Sequence, residues 1–396
     1  MLTTTLSRLR CPKLSFSSDA GELGALCGGT LRLSAHTSVG AGALDRKDCQ
    51  EIRSGTLTCN ECDAEFPILA GVAVLVEDVE SYLLTHVKGL SRVVPDSEIP
   101  AQYLSDYLEA KAEIESEHIE EDLEAERVVS LYLMNHYLRT SAVKPWWKPE
   151  TGEASPLIDE LVKKYWDHGP FEQIRKWVAQ LAQKGGPGSS GGSVVELATL
   201  ELGCGVGGLY LQIEPFCREY LGVDSSFTSI ALGRHLALGV PYGGKIRIPQ
   251  DLLQGPVSLN LGVFPATRLT GNADLVVGDL ECLPVVREEW DLTLALNAID
   301  MMNEPALLPR LQQSLLKKGG VAIQSCPYIW HEVVAKELRE ILPKAVNESS
   351  RAVEWLYERE GFEIRERIEH LPWLFYKHFR QLEIYSVHLF VGVLKA

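Results

Sequence analysis

The run Leu200-Glu201-Leu202-Gly203-Cys204-Gly205-Val206-Gly207-Gly208, followed by Gly222-Val223-Asp224-Ser225, constrains this chain more than any other stretch. It spells a buried strand holding an acid near its end, a glycine loop, a helix start and a second strand ending in Asp224. Glycines in such a loop let the backbone turn tightly and approach a ligand where a Cβ would collide. Asp224 follows Gly203 by about 20 residues, the spacing at which a carboxylate meets a ribose diol. The pattern implies an adenosine-bearing cofactor.

Two cofactor classes fit the glycines. Gly203, Gly205 and Gly208 satisfy the dinucleotide fingerprint, whose loop and helix start receive a pyrophosphate. Glu201 argues against that fit, because a carboxylate beside the loop suits a cation better than a pyrophosphate. S-adenosylmethionine carries an ammonium and a sulfonium.

The order of motifs beyond the loop resembles that of class I S-adenosylmethionine-dependent methyltransferases. An acid-x-G-x-G-x-G motif matches Glu201, Gly203, Gly205 and Gly207, and an apolar strand ending in an acid matches Tyr220 to Asp224. Ala273 to Leu280, Trp290 to Asn297 and Leu315 to Ile323 follow in the family's order. The resemblance covers residues 194–396 and implies cofactor contacts at Glu201, Gly203, Gly205, Gly207, Asp224, Ser225, Asp279, Leu280 and Asn297. It implies an α/β fold with a doubly wound, mostly parallel seven-stranded sheet. Candidate strands are 198–202, 219–223, 273–277, 291–296 and 320–325, closed by an antiparallel pair at 363–371 and 384–394. Residues 241–272 hold two short alternating runs that suggest an extra hairpin.

Nine cysteines, five of them within the first 62 residues, need a separate reason. The opening residues lack an apolar signal core, so reduced thiols and a cytoplasmic location are expected. Cys59-Asn60-Glu61-Cys62 is a C-x-x-C, the turn that lets two thiolates grip one zinc ion. With Cys11-Pro12, Cys27-Gly28-Gly29 and the apolar run Phe66 to Leu75, the first 80 residues resemble the small zinc-ribbon protein that activates RNA and release-factor methyltransferases. The opening pair departs from that pattern, because residues 12–26 separate Cys11 from Cys27. The resemblance implies Cys11, Cys27, Cys59 and Cys62 as ligands of a structural zinc, with Cys49 as a substitute. A metal-free ribbon is the alternative. A fused ribbon also implies that no separate activator subunit is needed.

Residues 81–183 read as helical, with Leu131, Met134 and Tyr137-Leu138 on one face, and 184–193 as a Gly/Ser linker. The helices resemble the cap that such methyltransferases place over cofactor and substrate. Asn135-His136-Tyr137 and Asp167-His168-Gly169-Pro170 interrupt them with polar groups, which suit either a site or a helix cap.

The acceptor is left open by these residues. The loop after the fourth strand, Asn297 to Pro305, lacks the N-P-P-Y of methyltransferases acting on amide or base nitrogens. Asp300, His136 and His331 are candidate general bases, and Tyr137, Tyr328, Trp330 and Arg380 are candidate substrate contacts. A net charge of −16 and a pI near 5.2 oppose a nucleic-acid partner. No apolar run approaches the ~20 residues of a membrane span. The expectation is methyl transfer to a small molecule or peptide. An RNA or protein methyltransferase with a built-in activator, a nucleotide-dependent oxidoreductase and a non-enzymatic scaffold are the alternatives.

Overall fold

Six consecutive residues of Leu197–Leu202 are buried, as befits a strand covered on both faces. In the computed structural model this strand lies inside a mixed sheet of eleven strands. The structure describes residues 1–14, 26–39, 50–116, 123–137, 155–166, 168–183, 195–238, 246–248, 257–259, 273–378 and 381–395.

The N-terminal segment forms an antiparallel meander of β1 (Leu31–Val39), β2 (Glu51–Cys59), β3 (Glu65–Leu69) and β4 (Val72–Leu75). Helices α1 (Val79–Thr85), α2 (Val87–Leu90), α3 (Ala101–Ser116), α4 (Leu123–Tyr137), α5 (Pro156–Tyr165) and α6 (Pro170–Gln183) follow. Then come β5 (Leu197–Leu202), α7 (Tyr210–Ile213), β6 (Cys217–Asp224) and α8 (Phe227–Leu238). The short β7 (Ile246–Ile248) and β8 (Val257–Leu259) pair antiparallel as a separate two-stranded sheet. The remainder is β9 (Ala273–Gly278), β10 (Trp290–Leu296), α9 (Leu307–Leu315), β11 (Leu316–Cys326), α10 (Glu332–Ile341), α11 (Ser349–Arg359), β12 (Phe362–His378) and β13 (Gln381–Leu394).

The sheet order is β1-β2-β3-β4-β9-β6-β5-β10-β11-β13-β12. Strands β9, β6, β5, β10 and β11 run parallel, and β13 and β12 close the far edge antiparallel. A seven-stranded sheet beside a separate ribbon was the sequence-based expectation; one continuous sheet of eleven is what forms. The joint is β4 alongside β9, parallel, with Val74 opposite Val277 and Leu75 opposite Gly278. All four residues of β4 and all six of β9 are buried. Two apolar edges left apart would each expose unpaired backbone groups, and pairing removes both.

A buried ionic clasp reinforces the joint. Arg234 of α8, 1% exposed, donates from Nε to Asp274 Oδ1 at 2.9 Å and also to the Gly71 carbonyl. Asp274 Oδ2 accepts from the Leu2 amide and the Thr5 hydroxyl, both at 2.7 Å. Burial pushes the Asp274 carboxyl up, but the Arg234 guanidinium and these donors hold it below the ordinary value. Removing one partner of such a pair strands the other, which costs more than the pair contributes.

Helix α4 packs its Leu131, Leu133 and Met134 against Leu232 and Leu236 of α8 and Leu374 of β12. Asn135 clips it to β12, donating to the Tyr376 carbonyl at 2.9 Å and accepting from the Tyr376 amide at 2.7 Å. Among the described residues no helix is long and apolar enough to cross a membrane.

Candidate functional site

At the carboxyl end of β5 the chain reverses over the tip of β6. Gly203 and Cys204 donate their amides to the Val223 carbonyl at 2.9 and 3.1 Å. Gly205 has φ +53°, and a Cβ there would meet nothing within 4 Å, because it faces open cleft. Gly205 donates its amide to Asp224 Oδ2 at 2.8 Å, and Ser226 donates to Oδ1 at 2.9 Å. Burial pushes the Asp224 carboxyl up, while these two donors oppose it. Each carboxylate oxygen keeps a lone pair for a further donor.

Glu201 lies beneath the loop, 3% exposed, and accepts a hydrogen bond from the Tyr220 hydroxyl. Burial drives its carboxyl up to about 8; the Tyr220 donation opposes this and the nearby Asp224 charge adds to it. Near pH 7 these surroundings favour a neutral Glu201, which a bound cation would ionise.

These groups border a cleft of about 610 Å³. Glu201, Gly203, Gly205, Asp224, Ser225, Asp279, Leu280 and Asn297 all line it, at the carboxyl ends of four strands. Asp279 is braced by the Glu281 amide at 2.9 Å, and Asn297, at φ +54°, by its own amide on the Ser325 carbonyl at 2.8 Å. Gly207 does not line the cleft. A Cβ there would lie 2.8 Å from Leu275 Cδ1, so its role is close packing under the loop.

Of the candidate bases, His136 alone borders the cleft, its ring set edge-on to Tyr132 and Phe171 at centroid distances of 5.8 and 5.0 Å. Asp300 turns inward: it is 4% exposed, and its Oδ2 accepts the Ile329 amide at 2.9 Å. Its neighbours Met301 and Met302 line the cleft instead. His331 is exposed at the start of α10, outside the lining.

The substrate candidates also fall elsewhere. Tyr137 is buried and donates its hydroxyl to the Val206 carbonyl at 2.6 Å, holding α4 to the glycine loop. Tyr328 is paired with His388 Nδ1 at 2.7 Å, and Trp330 donates to the Ser349 hydroxyl at 3.0 Å. Neither borders the cleft. Burial, with Arg367 and Arg351 nearby, lowers His388 to about 4. Arg380, Asp167, Cys49 and the 184–193 linker lie outside the described residues. Tyr132, Phe171 and Trp373, which sequence reasoning did not select, do line the cleft. Tyr132 had a signal: it precedes His136 by one helical turn.

A second cluster lies in the N-terminal segment. The sulfurs of Cys11, Cys27, Cys59 and Cys62 all lie within 4.8 Å of one another, with Cys11–Cys62 at 3.6 Å and Cys27–Cys59 at 3.7 Å. Zinc–sulfur bonds of about 2.3 Å in a tetrahedron place sulfurs about 3.8 Å apart. A Cβ at Gly29 would lie 2.7 Å from Cys59 Sγ, so this glycine keeps the cradle open. Burial pushes the Cys59 thiol up, but the Glu61 and Cys62 amides outweigh it and hold the thiol below its ordinary value. The donor set and spacing fit a closed metal site.

No protein-family model and no curated protein matches this sequence. Among solved structures it is similar to a chain from the complex of the Haloferax volcanii Trm112 methyltransferase activator, at 15% identity and TM-score 0.34, over 61% of this chain and 94% of that one. It is similar to the Synechocystis magnesium protoporphyrin IX methyltransferase with bound SAM, at 14% and 0.35, over 67% and 97%. The [4+2]-cyclase SpnF is a third, at 12% and 0.34, over 58% and 87%. None of these likenesses assigns an activity to this chain.

Proposed function

We propose that this chain is an S-adenosylmethionine-dependent methyltransferase acting on a small-molecule or peptide acceptor. The observation that carries this reading is one carboxylate: Asp224, fixed by the Gly205 and Ser226 amides on the rim of a cleft that also holds Glu201. Asp224 would accept the ribose hydroxyls, Glu201 and Asn297 would hold the amino acid end, and Asp279 with Leu280 would hold the adenine. When bound, the cofactor supplies an electrophilic methyl group on a sulfonium. The chain's part is alignment, exclusion of water and placement of His136, whose imidazole can take a proton from a protonated acceptor.

Among the described residues, the cleft lining contains no Lys or Arg and four carboxyl residues, Glu201, Asp224, Asp279 and Glu281. That set disfavours a pyrophosphate, and so an oxidoreductase, and it disfavours a nucleic-acid backbone. Residues 1–80 serve in this reading as a built-in stabiliser with one structural zinc on Cys11, Cys27, Cys59 and Cys62. Four thiolates close the coordination sphere and leave no position for chemistry. Residues 81–183 serve as the cap, since α4 and α6 bring Tyr132, His136 and Phe171 to the cleft. Incubation with methyl-labelled S-adenosylmethionine and separate metabolite, peptide and RNA pools tests the acceptor. Label in the small-molecule or peptide pool is expected; label in RNA alone would overturn that choice.

A further inference from the structure

The cleft has two unlike halves. One holds the acids and the glycine loop. The other is a run of rings, Tyr132–His136–Phe171–Trp373, with successive centroids 5.8, 5.0 and 5.6 Å apart and every pair tilted or edge-on. These rings come from α4, α6 and β12, so three distant segments converge on one wall. Phe171 and Trp373 are rooted in the main core, 6% and 7% exposed, whereas Tyr132 at the other end of the run remains 44% exposed.

We propose that this ring wall is the acceptor subsite and that it takes a small, flat-ringed amine while rejecting an anion of the same shape. The inference rests on the methyltransferase reading and deepens it. Edge-on rings leave faces and edges for another ring, and ring faces attract a cation. The charges around the wall act in the same direction. Asp224, Asp300 and Glu383 lie near enough to the Tyr132 hydroxyl to reinforce the effect of burial in pushing its pKa up. Lys377, nearby over Phe375, is paired with Glu383 at 3.3 Å and does not line the cleft. Arg175 belongs to a smaller pocket of about 160 Å³ that shares only Phe171 and Trp373 with the cleft.

Calorimetric titration of the full chain, loaded with S-adenosylhomocysteine, with tryptamine and with indole-3-acetate tests the inference, since the two probes share a ring and differ in charge. Tryptamine is expected to bind at least about tenfold more tightly, a preference that shrinks with added salt. Tyr132→Leu, at a partly exposed position, should weaken tryptamine about fivefold and leave S-adenosylhomocysteine affinity unchanged. Equal affinities, preference for indole-3-acetate, or binding of neither probe overturns the subsite and leaves the cofactor reading standing. If S-adenosylhomocysteine itself does not bind, the cofactor reading fails, and the same probes on the unloaded chain still decide the subsite.

Discussion

Among the described residues the carboxyl of Glu201, under the glycine loop, has no cationic partner, and its protonation is the sharpest consequence of the site's electrostatics. Its native pKa is raised from the ordinary 4.5 to about 8, so the native state binds more protons than the unfolded chain between those values. Stability from this group is complete below 4.5 and is lost as pH rises through 8. The ligand-free wild type should therefore lose melting temperature from pH 5 to 8 relative to Glu201→Gln, measured by scanning calorimetry. Binding of S-adenosylmethionine near pH 7 should release close to one proton, read from titrations in buffers of different ionisation heat. Binding without proton release would mean that the cation does not meet Glu201. Asp224 was read in the sequence from a strand end and a fixed spacing, Glu201 from its place beside the glycine loop, and Asp279 only from the family resemblance. The protonation state of Glu201 was not, since it depends on Tyr220 and on burial. Nor was the inward turn of Asp300, which is set by the Ile329 amide in a different loop.

Among the elements, the buried strands were the most legible: a continuous apolar run bounded by glycine or an acid has few other uses. Their ends were less so. The candidate strand at 320–325 starts earlier than expected: β11 begins at Leu316, and Gly319 sits inside it at φ +76° where its pairing with β10 shifts. Helix α4 is the instructive case. Its Asn135-His136-Tyr137 trio has the look of a site because polar groups break an apolar helix, yet each residue does something different. Asn135 binds the β12 backbone, Tyr137 binds the glycine loop, and His136 between them borders the cleft. Such division cannot be read from spacing, since the partners lie far away in sequence. Tyr137→Phe leaves the Val206 carbonyl without its donor and should cost about 1–2 kcal/mol in chemical denaturation. It should also weaken cofactor binding, because the loop loses its tether. An unchanged midpoint and affinity would show that the bond holds nothing.

Across the whole molecule, the N-terminal module joins the rest by sheet continuation. The sequence separated 1–80 from the core because its cysteines and turns formed a self-contained pattern. Pairing of β4 with β9, about 200 residues apart, depends on two edges meeting and leaves no local mark. If the four sulfurs hold zinc, its loss should propagate through that joint. Elemental analysis should find about one zinc per chain, and Cys59→Ser should lose most of it and lower the melting temperature of the full protein. A metal-free wild type that melts cooperatively at the same temperature would make the cluster a plain core. The central claim concerns the cleft, and calorimetry on wild type and Asp224→Ala with S-adenosylmethionine and with NAD tests it most directly. Micromolar binding of S-adenosylmethionine to wild type, no comparable binding of NAD, and a loss of at least about tenfold in Asp224→Ala are predicted. Equal affinity of the two proteins for S-adenosylmethionine, or tighter binding of NAD, would contradict the account.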